Sequence, residues 1–143
     1  MTLALHGVGF VHANGHRALH PLQLHVARGE RVAVIGPSGA GKTSLVRIAS
    51  ASQRTSEGRI EILGVQPWLL DARRVKALRA RIGVVHQAPP TPPRLRVVTA
   101  VLAGRLGRWS TRRALASLLR PVDAAGAHAA LARLDMAERL YER

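Results

Sequence analysis

The sequence predicts an α/β fold in which an antiparallel β hairpin precedes a core built on a parallel sheet. One observation is the apolar run at residues 32–35, which is typical of a strand buried on both faces of a parallel sheet. A second is the glycine-rich turn at residues 36–41, which follows this run directly and leads into a helical pattern. A third is size, since 143 residues with 47% hydrophobic content suffice for a domain-sized core.

The N-terminal region predicts the hairpin. Residues 3–11 and 17–26 consist of short apolar or alternating pieces, and the sequence Ala-Asn-Gly-His at residues 13–16 is typical of a turn. We therefore expect two antiparallel strands joined at this turn. A second tight turn, at residues 27–30, then leads into the apolar run.

Three weaker elements are predicted between the glycine-rich turn and residue 93. Residues 59–64 alternate like a short strand, and Asp71 is suited to cap a helix over residues 72–80. Residues 83–87 are a second candidate for a buried strand. The proline-rich residues 88–93 predict a stiff surface linker, because proline fixes φ and has no N–H to donate.

The remainder of the chain, from residue 99, predicts helices. Thr99, Ser110 and Asp123 are suited to cap three successive helices, which we expect to end near residues 106, 119 and 134.

Residues 36–43 match the pattern G-x-x-x-x-G-K-[ST] at every fixed position, which is the pattern of a phosphate-binding P-loop. Its glycines allow a tight turn whose backbone N–H groups approach phosphate oxygens. Lys42 is suited to reach the β- and γ-phosphates, and Thr43 to offer its hydroxyl to Mg²⁺. We therefore predict an ATP and Mg²⁺ site whose binding residues are Gly36, Pro37, Ser38, Gly39, Ala40, Gly41, Lys42, Thr43 and Ser44.

The charge composition raises the alternative of a nucleic-acid partner. The chain has 22 basic and 8 acidic residues, a net charge of +14. However, the arginines are spread singly or in pairs, and only 3% of the residues are aromatic, which leaves little to stack on bases. This distribution favours solvated helix faces, so we expect no nucleic-acid binding. The absence of cysteine excludes a disulfide framework and thiolate metal sites.

The histidines suggest a metal site only at first sight. Five of the seven lie in the first 25 residues, and His12, His16 and His20 have the spacing of one helix face. The Asn-Gly turn at residues 14 and 15 interrupts any such helix, so we do not predict a metal site there.

Five further segments carry a family resemblance. They are residues 12–19, Gly29-Glu30 before the apolar run, Ser56-Glu57-Gly58 before a strand, residues 81–87 ending in Gln87, and residues 101–108. Residues 12–19 stand where the family has the sequence Tyr-Pro-Asn-Gly-x-x-Ala-Leu. Together with the P-loop they resemble the ATP-binding subunit of an ABC transporter. Residues 101–108 in particular resemble subunits that import phosphonate or a related organophosphorus anion.

The resemblance implies roles for two more residues. Gln87 stands at the family's Q-loop glutamine, so it would contact Mg²⁺ and the attacking water as a catalytic residue. His12 stands where the family stacks a tyrosine on adenine. An imidazole has a smaller face, so a weaker purine contact is expected. Phe10, on the same strand face, is a second candidate for stacking, and an ordinary strand histidine is the alternative interpretation of His12.

The resemblance also implies the domain organisation. Residues 1–98 would form the N-terminal part of the nucleotide-binding domain, and residues 99–143 would begin the α-helical subdomain. The family's signature sequence, its Walker B strand ending in Asp-Glu and its switch histidine do not occur in the sequence. We therefore expect an incomplete core from the N-terminal part of a longer subunit, which does not hydrolyse ATP by itself.

The partners are likewise implied by the resemblance. An intact subunit would pair head-to-tail with a second ATP-binding subunit, bind transmembrane permease subunits and act indirectly with a solute-binding protein. It would lie peripherally on the cytoplasmic face of the cell membrane. A nucleic-acid-associated P-loop ATPase and a non-catalytic remnant remain the alternative interpretations.

Overall fold

The computed structural model describes residues 2–88, 92, 94–119 and 121–142. Its strands are β1 (Leu3–Val11), β2 (Arg17–Val26) and β3 (Glu57–Ile62). Its α-helices are α1 (Lys42–Ala49), α2 (Ala72–Arg79), α3 (Val97–Ala103), α4 (Thr111–Leu119) and α5 (Ala124–Ala132), and two 3₁₀ helices span Pro67–Leu69 and Ala137–Tyr141. The chain divides into two compact units, Met1–Gly83 and Val84–Arg143.

The first unit is built on an antiparallel sheet in the order β2-β1-β3. The predicted hairpin is confirmed with the predicted strand bounds. At its tip the N–H of His12 donates to the carbonyl of His16 at 2.9 Å, and the N–H of Gly15 donates to the carbonyl of His12 at 2.9 Å. The strand expected at residues 59–64 begins and ends two residues earlier, as β3.

Strand β3 approaches β1 unusually closely at Gly58. This residue has a φ of +70°, and an added Cβ would lie 2.2 Å from the carbonyl oxygen of Gly7. Backbone atoms cannot move aside as a flexible side chain can, so only glycine fits this position. The approach coincides with a register shift between His6 and Gly9 in the pairing of β1 with β3.

The core of the first unit lies between this sheet and the helices of the same unit. The largest fully buried side chains in it are Leu5, Val8, Ile48 and Ile60. Helix α1 contributes Leu45 and Ile48, which share one helix face because they are three residues apart. The buried side chains of α1 therefore anchor this helix, and the glycine-rich turn that leads into it, to the sheet.

The predicted parallel strands at residues 32–35 and 83–86 are wrong. Neither segment forms a strand, and Ile35 and Val85 expose 93% and 99% of their surface. A strand is stabilised by ladder hydrogen bonds to a neighbour, and among the described residues none of the three strands pairs with either of these segments. The apolar composition of these runs is therefore not sufficient to make them strands.

The predicted caps are confirmed at three of four helices. Asp71 accepts a hydrogen bond from the N–H of Arg74 at 2.8 Å, Asp123 accepts one from Gly126 at 3.0 Å, and Ser110 precedes α4 and accepts one from Arg113 at 3.4 Å. Thr99 is not a cap, because α3 already begins at Val97. Of the predicted linker at residues 88–93, Pro89, Pro90, Thr91 and Pro93 lie outside the described residues.

The second unit has a small helical core of its own. Val98 and Leu102 of α3 pack with Ala127 and Leu131 of α5 and with Leu140. Of the helices that the structure describes, none combines the length and the apolar character that crossing a bilayer requires.

Candidate nucleotide-binding site

The P-loop has the backbone conformation that its glycines predict. Gly39 and Gly41 have φ values of +82° and +83°, in the left-handed region that favours glycine. A Cβ on Gly41 would lie 2.2 Å from the carbonyl oxygen of Ala18 in β2, so this position excludes any side chain. The loop is thereby packed directly against the start of β2.

Lys42 lies at the end of this loop and closes it. Its Nζ donates to the carbonyl oxygens of Gly36 at 2.7 Å and Pro37 at 2.6 Å. The same residue begins α1, so the ammonium group and the first N–H groups of the helix belong to one turn of chain. This arrangement concentrates positive charge where an anion would bind.

The start of α1 has no side-chain acceptor within the described residues. Its N-cap, Gly41, makes no side-chain capping bond, and the first turn contains no acidic residue. The first N–H groups of a helix lack intrahelical partners, and a phosphate oxygen supplies the acceptors that they need. The residues present therefore fit a polyphosphate.

The other predicted P-loop residues are accessible. Residues 36–40 and Thr43 are exposed, and Ser44 is half-buried. The hydroxyl of Thr43 is thus available to a cation bound beside the phosphates. Among the described residues, no three His, Asp or Glu side chains lie together in a way that could hold a metal ion by themselves.

The hairpin tip is joined to the part of β2 that contacts the loop. Ala18, whose carbonyl abuts Gly41, is two residues from His16, a distance of about 7 Å along a strand. His16 in turn accepts the hydrogen bond from the N–H of His12. His12 is thus linked through His16 and Ala18 to the part of β2 that contacts Gly41.

The ring of His12 is exposed and oriented by its neighbours. Its centroid lies 4.9 Å from that of Phe10 in an edge-on arrangement at 77°, and 6.0 Å from that of His16. Phe10 itself is 8% exposed and belongs to the core, so the prediction that its ring could stack on adenine is wrong. The burial of this strand face directs Phe10 inward, whereas His12 lies beyond the end of β1.

Ser56 and Glu57 contact the hairpin, and their role was not predicted from the sequence. The N–H of Val11 donates to Ser56 Oγ at 3.0 Å, and this hydroxyl donates to the Val11 carbonyl at 3.2 Å. Arg17 donates to Glu57 Oε1 at 2.8 Å. These partners are 40 and 45 residues apart in the chain, and the only available signal was the Ser-Glu-Gly segment ahead of β3.

The pair formed by Arg17 and Glu57 changes the acidity of the carboxyl group. The hydrogen bond from Arg17 lowers the pKa of Glu57 below its ordinary value of 4.5, although partial desolvation acts in the opposite direction. Electrostatic interactions with Arg17 and His20 lower the pKa of Glu57 further. The carboxylate form is therefore the one that the fold stabilises.

Gln87 belongs to the second unit and is exposed. Its contact with Mg²⁺ and the attacking water stays a prediction.

Comparison with known proteins gives a consistent relationship. The family described as "ABC transporter" matches residues 19–143. The chain is 60% identical to the phosphonates import ATP-binding protein PhnC 2 of Pseudomonas aeruginosa, strain UCBPP-PA14, across all of this chain and 54% of that protein. It is 55% identical to the PhnC 1 protein of Cupriavidus necator, across 51% of its length. The chain thus spans about half the length of the curated relatives that it matches.

Solved structures support the fold. The dimeric bacterial ABC transporter cassette MJ0796 is similar with a TM-score of 0.69 and 24% identity, over 87% of this chain and 57% of that one. The cbiO1 protein of Clostridium perfringens, part of the complex cbiONQ, is similar with a TM-score of 0.67 and 21% identity, over 98% and 53%. The predicted fold class, an incomplete α/β P-loop core with an antiparallel β subdomain, is therefore confirmed.

Proposed function

The chain belongs to the ABC transporter family, and we propose from this premise that it is the ATP-binding part of an importer for phosphonate or a related organophosphorus anion. Members of this family bind ATP. The assignment of the solute is supported by the printed function of relatives such as the P. aeruginosa protein, described as a phosphonates import ATP-binding protein.

The observation that carries ATP binding is the position of Lys42. Its ammonium group lies against two carbonyl oxygens of its own loop, at the N-terminus of a helix that no acidic side chain occupies. A triphosphate carries several full negative charges, so it competes effectively with neutral carbonyl groups for this cation. On binding, Lys42 would exchange one or both carbonyl contacts for phosphate oxygens.

Mg²⁺ would be held beside the phosphates. The exposed hydroxyl of Thr43, one residue beyond the lysine, is the ligand we propose from the P-loop. We propose Gln87 as a further ligand because residues 81–87 resemble the family's Q-loop segment. The ion would neutralise charge on the β- and γ-phosphates. His12 would stack on adenine, which its exposed ring supports.

Import would require further proteins. We propose transmembrane permease subunits, a second ATP-binding subunit in a head-to-tail pair and, indirectly, a solute-binding protein, with the assembly at the cytoplasmic face of the membrane. Residues 1–98 would belong to the nucleotide-binding domain and residues 99–143 to the start of the helical subdomain. The similarity to a cassette solved as a dimer supports the pairing.

The two lysines of the chain provide a matched test. Lys42→Ala should weaken the binding of ATP with Mg²⁺ about 30-fold in isothermal titration calorimetry, because charge-assisted hydrogen bonds to phosphate are lost. Lys76→Ala removes the same charge from the exposed face of α2 and should change the affinity less than twofold. Equal affinities of both variants would contradict the proposal. A failure of the unaltered chain to bind ATP would favour the non-catalytic remnant.

A further inference from the structure

We propose that Ser56 is a positioning residue for the nucleobase, because its hydroxyl fixes the backbone that carries His12. The inference rests on the proposed function, in which His12 stacks on adenine. It assigns to Ser56 no contact with the nucleotide itself.

The hydroxyl of Ser56 connects to β1 at a point where the backbone hydrogen bonds between β1 and β3 have ended. Regular pairing between β1 and β3 stops at Gly9 and Glu57, and the N–H of Ser56 then donates to the Gly9 carbonyl at 3.0 Å. Val11, two residues further along β1, has both its N–H and its carbonyl bonded to Ser56 Oγ. A hydroxyl can serve both groups because it donates one hydrogen bond and accepts two.

Val11 is the last residue of β1, so its position determines where the hairpin tip begins. His12 follows it directly, and its ring makes an edge-on contact with the ring of Phe10, which is buried in the core. The His12 backbone is thus held on its N-terminal side through Ser56, and its ring is held by Phe10. Without the hydroxyl, Val11 loses its two bonds to Ser56, and the hairpin tip is held only by its own pairing between β1 and β2.

A fixed ring binds a base more tightly than a mobile one. Ordering a side chain or a turn on binding costs conformational entropy, and pre-organisation removes part of that cost. The benefit applies to the base and not to the phosphates, whose site is held by Gly41 against Ala18. This difference separates a positioning role from general support of the sheet.

The test compares ATP with inorganic tripolyphosphate, both with Mg²⁺, on the full chain. Ser56→Ala should lower the affinity for ATP about fivefold, and its affinity for tripolyphosphate should stay within about twofold of that of the unaltered chain. Ser56→Thr keeps the hydroxyl at this exposed position and should retain the ATP affinity of the unaltered chain. Ser52→Ala removes a hydroxyl that donates to the Arg47 carbonyl at 2.8 Å, away from the tip, and should leave both affinities unchanged.

A double-mutant cycle with His12→Ala completes the test. If Ser56 acts through His12, Ser56→Ala should have no further effect on ATP binding once His12 is replaced. Additive losses, or equal losses of ATP and tripolyphosphate in Ser56→Ala, would overturn the inference while Lys42-dependent binding persists. Loss of that Lys42 dependence would overturn the proposed function instead.

Discussion

Strand β1 and the run at residues 32–35 are both apolar segments of the first unit, yet they differ in every structural respect. In β1, Leu5 and Val8 are fully buried, and the strand pairs with β2 on one side and β3 on the other. In the run, Ile35 is 93% exposed and no strand forms. The difference teaches that an apolar pattern indicates a tendency to be buried, whereas a strand also requires a partner for its backbone.

The P-loop lies directly after the unpaired run and nevertheless has its expected conformation. Its geometry depends on the positive φ of two glycines, on the contact of Gly41 with Ala18 and on the hydrogen bonds of Lys42. These contacts are supplied by the loop itself and by the hairpin. The conformation of the loop therefore does not depend on the strand pairing that residues 32–35 lack.

The largest effect is expected where β1 and β3 touch. Gly58→Ala would drive a Cβ to within 2.2 Å of the Gly7 carbonyl oxygen and should lower the free energy of unfolding by about 4 kcal/mol. Gly64→Ala is the matched control, since Gly64 has a φ of +80° but no atom within 4 Å of the added Cβ. It should cost only the conformational strain, about 1 kcal/mol. Urea unfolding measures both changes in stability. Equal losses of stability in the two variants would contradict the claim that close contact between β1 and β3 requires glycine at position 58.

A smaller effect tests the comparison of the two apolar segments directly. Leu5→Ala removes a fully buried side chain and should destabilise the first unit by about 3 kcal/mol, whereas Ile35→Ala should change its stability by less than about 0.5 kcal/mol. Both changes delete aliphatic carbons from an apolar run. If Ile35→Ala proves as costly as Leu5→Ala in urea unfolding, residues 32–35 are buried in solution and the contrast drawn with β1 fails.

The features predicted correctly from the sequence are those determined over a few residues. The hairpin follows from the turn at residues 13–16, the caps at Asp71 and Asp123 each bond an N–H three residues on, and the tight turn of Gly39 and Gly41 lies within one contiguous motif. In each case the sequence contains both partners of the interaction within one short window, so residue type and spacing are enough to infer it.

Apart from the Thr99 cap, which is wrong because α3 begins two residues earlier, the failures concern interactions whose partners are far apart. The strands at residues 32–35 and 83–86 were predicted from composition alone, and composition does not specify a ladder partner. The sequence offers Phe10 as a candidate for adenine stacking, but the side chain packs into the core and is oriented inward. The hydrogen bonds between Ser56 and Val11 join residues 45 positions apart, and no local sequence pattern predicts them. Long-range contacts depend on the folded topology, which a single sequence constrains only weakly.

The smallest effect concerns the ion pair between Arg17 and Glu57, which joins the start of β2 to β3 within the paired sheet. Because the hydrogen bond from Arg17 lowers the pKa of Glu57 in the folded chain, the unfolded chain binds more protons near pH 4.5. The stabilisation is therefore present above that pH and is lost as the pH falls towards the lower folded pKa. Glu57→Gln should flatten this part of the curve of unfolding free energy against pH, measured between pH 3 and 7 at low salt, where an exposed pair is least screened.

Arg17→Gln should flatten the same part of the curve, because it removes the donor and leaves the carboxyl group without the interaction that favours its charged form. The two substitutions together should do no more than either alone, since they remove one interaction from opposite ends. If Arg17→Gln keeps the slope that Glu57→Gln removes, another group holds the Glu57 carboxylate and the pair does not fasten β2 to β3. The pair's contribution is small because both side chains are more than one-third exposed, at 37% and 39%, so sheet pairing rests mainly on the backbone ladder and the buried core.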